Sequence, residues 1–229
     1  MIVERWFMNK ILITGAAGYI GSMLCTKLVE DKKNYVTAVD LLKYDKNSLA
    51  HLHKYTNFNF IHADIRSDKI IKKLSKNQNF IIPLAALVGA PLCEKHKKNT
   101  IETNINSLKK LIKFLKKNQK IIYPTTNSGY GVGQKNKFCD ENSPLNPISL
   151  YGSTKAEAEK IVLNFGNSVC FRLATVFGYS YRMRTDLLVN NFVEKAIKTN
   201  KLDLFEAHFR RNYVHISDVV NAFIFAIEN

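Results

Sequence analysis

Short apolar runs recur along the chain at 10–14 (KILIT), 35–39 (YVTAV), 58–62 (FNFIH), 80–86 (FIIPLAA), 120–124 (KIIYP) and 168–174 (SVCFRLA). Their length predicts strands. The segments between them, notably 18–32, 101–118 and 151–164, space apolar residues as one-faced helices do and contain few breakers. This β-then-α alternation predicts an α/β protein, a doubly wound parallel sheet with helices on both faces. The five prolines fall at strand ends or in loops, where a missing N–H costs little. After Gly178 the pattern changes to two helical segments around a short strand, which reads as the start of a second, smaller lobe.

Composition narrows the function classes. The 229 residues suit one large domain or a domain with a small lobe, and no apolar run approaches the ~20 residues that span a bilayer. The N-terminus MIVERWFMNK lacks the shape of a secretory signal, so the expected location is cytoplasmic and no membrane partner is expected. Cys25, Cys93, Cys139 and Cys170 form no CxxC pair, and His51 and His53 have no ligand partners at suitable spacing, so no metal is expected. A net charge of +15 invites a nucleic-acid reading. The lysines argue otherwise: in NSLKKLIKFLKKNQK, Leu108, Leu111, Ile112 and Leu115 form one stripe and the lysines fill the rest, as on a helix with a solvated face. Such a field still attracts an anionic small molecule.

ILITGAAGYIGS at 11–22 carries the first chemistry. A strand runs into Gly15, Gly18 and Gly21 and then a helix, so the backbone turns tightly and the helix N-terminus faces a pyrophosphate. The spacing is GxxGxxG, one residue longer in its first gap than the commoner fingerprint. Asp40 ends the second strand about 20 residues on, where a carboxylate accepts from an adenosine ribose 2′-OH and repels a 2′-phosphate. NAD is the expected cofactor. SLYGSTK at 149–155 then places Tyr151 and Lys155 four apart on one helix face, where an ammonium favours the phenolate and lets the phenol exchange protons with a substrate hydroxyl.

With these residues in place the chain resembles the extended short-chain dehydrogenase/reductases, in particular the NAD-dependent nucleotide-sugar epimerases and dehydratases. The resemblance runs from Lys10 to the last residue through TGAAGYIG, Asp40, ADI at 63–65, LAA at 84–86, TTNSGYG at 125–131, YGSTK, FRLATVFG at 171–178 and RNYVHISDV at 211–219. It implies a Rossmann domain over 8–178, a partial substrate lobe over 179–210 and a returning segment over 211–229. Cofactor contacts are implied for Gly15, Gly18, Tyr19, Ile20, Gly21, Asp40, Asp64, Ile65, Leu84, Ala85, Ala86, Tyr151 and Lys155. Thr126, Tyr151 and Lys155 are the implied catalytic set. Asn127, Ser128, Thr175, Asn190 and Arg211 are the implied substrate contacts, with Thr175 standing where many epimerases carry Asn. A homodimer through segments 101–117 and 151–164 is also implied, provided the Leu108, Leu111 and Leu115 stripe faces the partner. Family members usually run on for about another eighty residues, so a truncated substrate lobe is expected. The first seven residues precede a natural-looking start, which puts Trp6 outside the core.

The reaction follows from an absence. In the family's 4,6-dehydratases the catalytic Thr is followed by Asp and Glu, and here Asn127 and Ser128 hold those positions. Neither serves as a general acid or base near neutral pH. The reading is a nucleotide-sugar epimerase acting at C4 through a keto sugar. A nucleotide-sugar reductase or dehydrogenase and a catalytically idle NAD-binding protein stay open as alternatives.

Overall fold

The computed structural model describes residues 8–133, 138–204 and 207–229; Trp6 lies outside them. In chain order the elements are β1 (Asn9–Thr14), α1 (Tyr19–Glu30), β2 (Asn34–Asp40), β3 (Phe58–His62), α2 (Asp68–Leu74) and β4 (Phe80–Pro83). Next come α3 (Ala90–Lys95), α4 (Lys97–Ile101), a π-helical turn (Glu102–Asn106), α5 (Ser107–Lys113), β5 (Lys120–Thr126), α6 (Leu150–Leu163) and β6 (Ser168–Leu173). The chain closes with β7 (Thr175–Phe177), α7 (Leu188–Thr199), β8 (Tyr213–His215) and α8 (Ile216–Glu228).

Six strands pair in parallel in the order β3-β2-β1-β4-β5-β6, the doubly wound topology expected. The order reverses between β1 and β4, and this switch point opens a crevice at the carboxyl ends of the strands. Side chains alternate across the sheet. Ile11, Ile13, Ile82 and Ile122 pack with Leu24, Leu28, Val219 and Phe223 of α1 and α8, while Leu12, Ile81 and Ile121 pack on the other side with Leu108, Leu111 and Val162. Burial on both faces explains why the strand runs read as continuously apolar.

Three expected elements differ. The 80–86 run ends as a strand at Pro83: the Leu84 N–H reaches Thr14 O at 2.9 Å, and the chain then leaves the ladder. The 101–118 helix is interrupted by the π turn and stops at Lys113, where the Phe114 and Leu115 N–H groups close three-residue turns onto Leu111 O and Ile112 O. The 168–174 run breaks at Ala174, so that β7 pairs with β8 in a separate two-stranded sheet. The leucine stripe lies where the pattern puts it, but Leu108 and Leu111 are spent on the chain's own core. These two leucines therefore do not face a partner. Among the described residues no helix is long and apolar enough to cross a membrane, and no three His, Cys, Asp or Glu groups gather as for a metal.

Candidate active site

The crevice at the switch point widens into a cavity of about 1010 Å³, at the upper end of small-molecule sites and roomy enough for a dinucleotide beside a second ligand. One wall is backbone. Gly15 has φ +71°, and a Cβ there would lie 2.5 Å from the Ala85 nitrogen, so only glycine lets this turn pass against the end of β4. Gly18 caps α1 without a side chain, and the first turn of α1 carries no acidic residue. The helix N-terminus is therefore open to an anion. Asp40 is tied down at the end of β2: one carboxylate oxygen accepts the Ala17 N–H at 3.0 Å and the other the Leu42 N–H at 2.8 Å. Asp64 is gripped by the fork of Arg66, which holds its carboxyl below the usual range. Tyr19, Ile20, Gly21, Ile65, Leu84, Ala85 and Ala86 complete this wall. An uncapped helix end, glycines packed where a Cβ would collide and a carboxylate at the second strand's end fit a dinucleotide.

The facing wall is made of side chains. At the end of β5 the Thr126 hydroxyl accepts the Ser128 N–H at 3.2 Å and starts the 3₁₀ turn Asn127–Tyr130. The same hydroxyl also hydrogen-bonds the Tyr151 phenol. Ser149 caps α6 by accepting the Gly152 N–H at 3.1 Å, which sets the helix carrying Tyr151 and Lys155. Thr126, Asn127, Ser128, Tyr151, Lys155 and Thr175 all line the cavity. Burial raises the Tyr151 phenol above its ordinary value, against a downward pull from the Thr126 hydroxyl and the Arg184 charge. Burial lowers Lys155 to about 7.

Lys155 is engaged by a second phenol, that of Tyr123. The lysine Nζ donates to the Tyr123 hydroxyl at 2.7 Å and lies 3.9 Å from the centre of that ring. The cation that bears on Tyr151 is Arg184, which comes from the chain after Gly178. Behind the wall, Arg172 on β6 fixes the turn. Its Nε and Nη2 donate to Glu159 Oε1 at 2.9 and 2.7 Å, and its Nη1 donates to the Tyr130 hydroxyl at 3.2 Å and to the carbonyls of Asp140 and Glu141.

Two implied substrate contacts are placed elsewhere. Asn190 is buried, with both its N–H donors used on Tyr19 Oη and Arg184 O and its oxygen accepting the Gly178 N–H. It braces the junction and does not face the cavity. Arg211 is exposed and outside the cavity wall; its neighbour Asn212 accepts from Asn127 Nδ2 at 2.8 Å. The sequence reading missed Tyr123, Asn104, Arg182 and Arg184. Asn104 accepts the Leu87 N–H at 2.8 Å and donates to Leu87 O and Thr154 Oγ1, clamping the loop after β4 to α6. Arg182 and Arg184 are brought to the mouth because the 178–181 segment is latched to α1 and to the turn after β2: Tyr19 Oη donates to Gly178 O at 2.6 Å, Ser180 Oγ to Tyr19 O at 2.7 Å, and Tyr181 stacks on His51. The pair RMR carried no motif, although two arginines so near FRLATVFG were a usable signal.

Known proteins resemble this chain along most of its length. The family described as "NAD dependent epimerase/dehydratase family" matches residues 11–229. The chain is 30% identical over 226 residues to an uncharacterised UDP-glucose epimerase of Bacillus subtilis, covering 92% of this chain and 70% of that protein. It is 29% identical over 240 residues to the dTDP-D-glucose 4,6-dehydratase of Dictyostelium discoideum, covering 95% of this chain and 55% of the relative. The crystal structure of the UDP-glucuronic acid 4-epimerase of Bacillus cereus, in complex with UDP-glucuronic acid and NAD, superposes with a TM-score of 0.84 at 27% identity, covering 96% of this chain and 73% of that one.

Proposed function

The chain belongs to the NAD-dependent epimerase/dehydratase family, and from that premise we propose that it is a nucleotide-sugar epimerase that inverts the sugar at C4. The observation that carries this reading is the wall on which Thr126, Tyr151 and Lys155 meet the cavity with Asn127 and Ser128, in place of two acids, beside them. The glycine turn, the open end of α1 and Asp40 would hold NAD, which when bound accepts a hydride from the sugar carbon and returns it.

The residues of the chain handle the proton and the geometry. Thr126 donates a hydrogen bond to the reacting sugar oxygen, and Tyr151 takes that oxygen's proton as a general base and later gives it back. Burial keeps the Tyr151 phenol protonated until a cation offsets it. Lys155, one helical turn away, supplies that charge by leaving Tyr123. Arg182 at the mouth favours a diphosphate-linked substrate through its charge, while Arg184 beside it is paired with Asp186. No carboxylate follows Thr126 to carry an elimination across C5 and C6, which separates this chain from its dehydratase relatives.

The test is to incubate the protein and NAD with UDP-hexoses and UDP-hexuronic acids and to resolve C4 epimers by NMR while following absorbance at 340 nm. Expected is epimer formation with no net NADH, slowed ~1,000-fold by Tyr151→Phe. Stoichiometric NADH consumption or release indicates the reductase reading, and a 4-keto-6-deoxy product refutes the exclusion of dehydration.

A further inference from the structure

We propose that Tyr123 is a positioning residue for Lys155: from the second layer beneath the cavity it holds the lysine as a cation without trapping it. The inference rests on the proposed function for its purpose and on the geometry for its existence. Tyr123 sits on the interior strand β5, is 3% exposed, and points to the face of the sheet that packs on α6. Lys155 meets it twice, through the 2.7 Å hydrogen bond to its hydroxyl and through the ring 3.9 Å from Nζ.

The choice of group decides what the lysine can do. A buried carboxylate at this place would form a tight ion pair and keep Lys155 away from the cavity. An aliphatic side chain would leave the ammonium uncompensated, and burial would strip its proton. A phenol lies between these. Its oxygen accepts from an ammonium or donates to an amine, its ring face attracts a cation, and it stays neutral because burial raises it well above its ordinary value. The other titratable groups bearing on Lys155 are Cys170 on β6 and Glu159 on α6, whose Oε1 accepts from Arg172 while its buried Oε2 has no partner among the described residues; Tyr151 lies one turn back on α6. Tyr123 is therefore the group that both touches the lysine and can release it when a ribose or the Tyr151 phenolate competes.

Tyr123→Phe keeps the ring and removes the hydrogen bond. Hydrogen bonds to charged groups are stronger than those to neutral ones, so the variant should titrate Lys155 lower, by about one pH unit. The readout is the Cε resonance of Lys155 in ¹³C-lysine-labelled protein without cofactor, assigned by its absence from Lys155→Met. In the wild type, one tyrosine Cζ resonance, absent from Tyr123→Phe, should move with the same midpoint, a measurement that does not depend on how the variant folds. With cofactor and substrate, the alkaline limb of kcat/KM should move to lower pH in the variant by the same amount. An unchanged Lys155 midpoint in a folded variant, or a Tyr123 resonance indifferent to the lysine, overturns the proposal. A shifted midpoint in a protein with no epimerase activity upholds the role of Tyr123 and refutes the proposed function, so the two failures are distinct.

Discussion

The two walls of the cavity are built from different materials. The β1–α1 wall is backbone: three glycines, an uncapped helix end and one carboxylate fixed by two amides. The β5–α6–β6 wall is side chain: a hydroxyl, a phenol and an amine, each set by a partner from another element. A backbone wall suits a ligand that stays, because its groups are already in place. A side-chain wall suits proton transfer, because its groups can change partner and charge.

The sharpest way to break the comparison is Gly15→Ala. The new Cβ meets the backbone of Ala85 at 2.5 Å in a left-handed conformation, and backbone cannot yield as a flexible side chain does. We expect a loss of about 3–4 kcal/mol of stability and at least ~100-fold in NAD affinity, read by thermal melts and calorimetry. Next comes Arg172→Met on the other wall. It leaves the buried Glu159 carboxylate without its partner, at a cost of about 3 kcal/mol, and frees the Tyr130 turn. Turnover should fall while NAD affinity holds, and adding Glu159→Gln should restore much of the melting temperature.

The smallest effect carries the clearest sign. Lys155 has a folded pKa of about 7 against an ordinary 10.5, so burying it as a cation costs stability in full below pH 7. The cost is relieved as pH rises from about 7 toward 10.5. Lys155→Met should abolish turnover yet stabilise the protein at pH 6, offset in part by the Tyr123 hydroxyl it orphans, and the gain should fade as pH rises toward 10. Paired melts at the two pH values decide it; a gain that does not depend on pH would place the lysine in water.

The same difference in material explains what the sequence made legible. Glycines at 15, 18 and 21 between a strand and a helix, with Asp40 beyond, disclose their wall because its contacts are local or sit at fixed intervals. The strands were readable because two-sided burial makes them short and apolar. Tyr123 looked like one more apolar strand residue in KIIYP, and its bond to a lysine 32 positions later depends on how β5 and α6 stack. Arg172 and Glu159 are paired across β6 and α6 for the same reason. Asn190 and Arg211 were assigned by resemblance to substrate, and the local chain uses the first as a brace and leaves the second on the surface.

The π turn at 102–106 has a further consequence, best put as phase. Each residue of an α-helix advances the side chains by about 100°, and one wide turn absorbs a residue without advancing the rest by a full step. Upstream, Thr100 keeps its bond to Cys93 O, and within the turn Asn104 reaches Leu87; downstream, Leu108 and Leu111 still face the sheet. Deleting any one residue of the turn would give a more regular helix and rotate one of these sets away from its partner. The turn works as a phase shifter between two interfaces, so the chain length here is fixed by the angle between them.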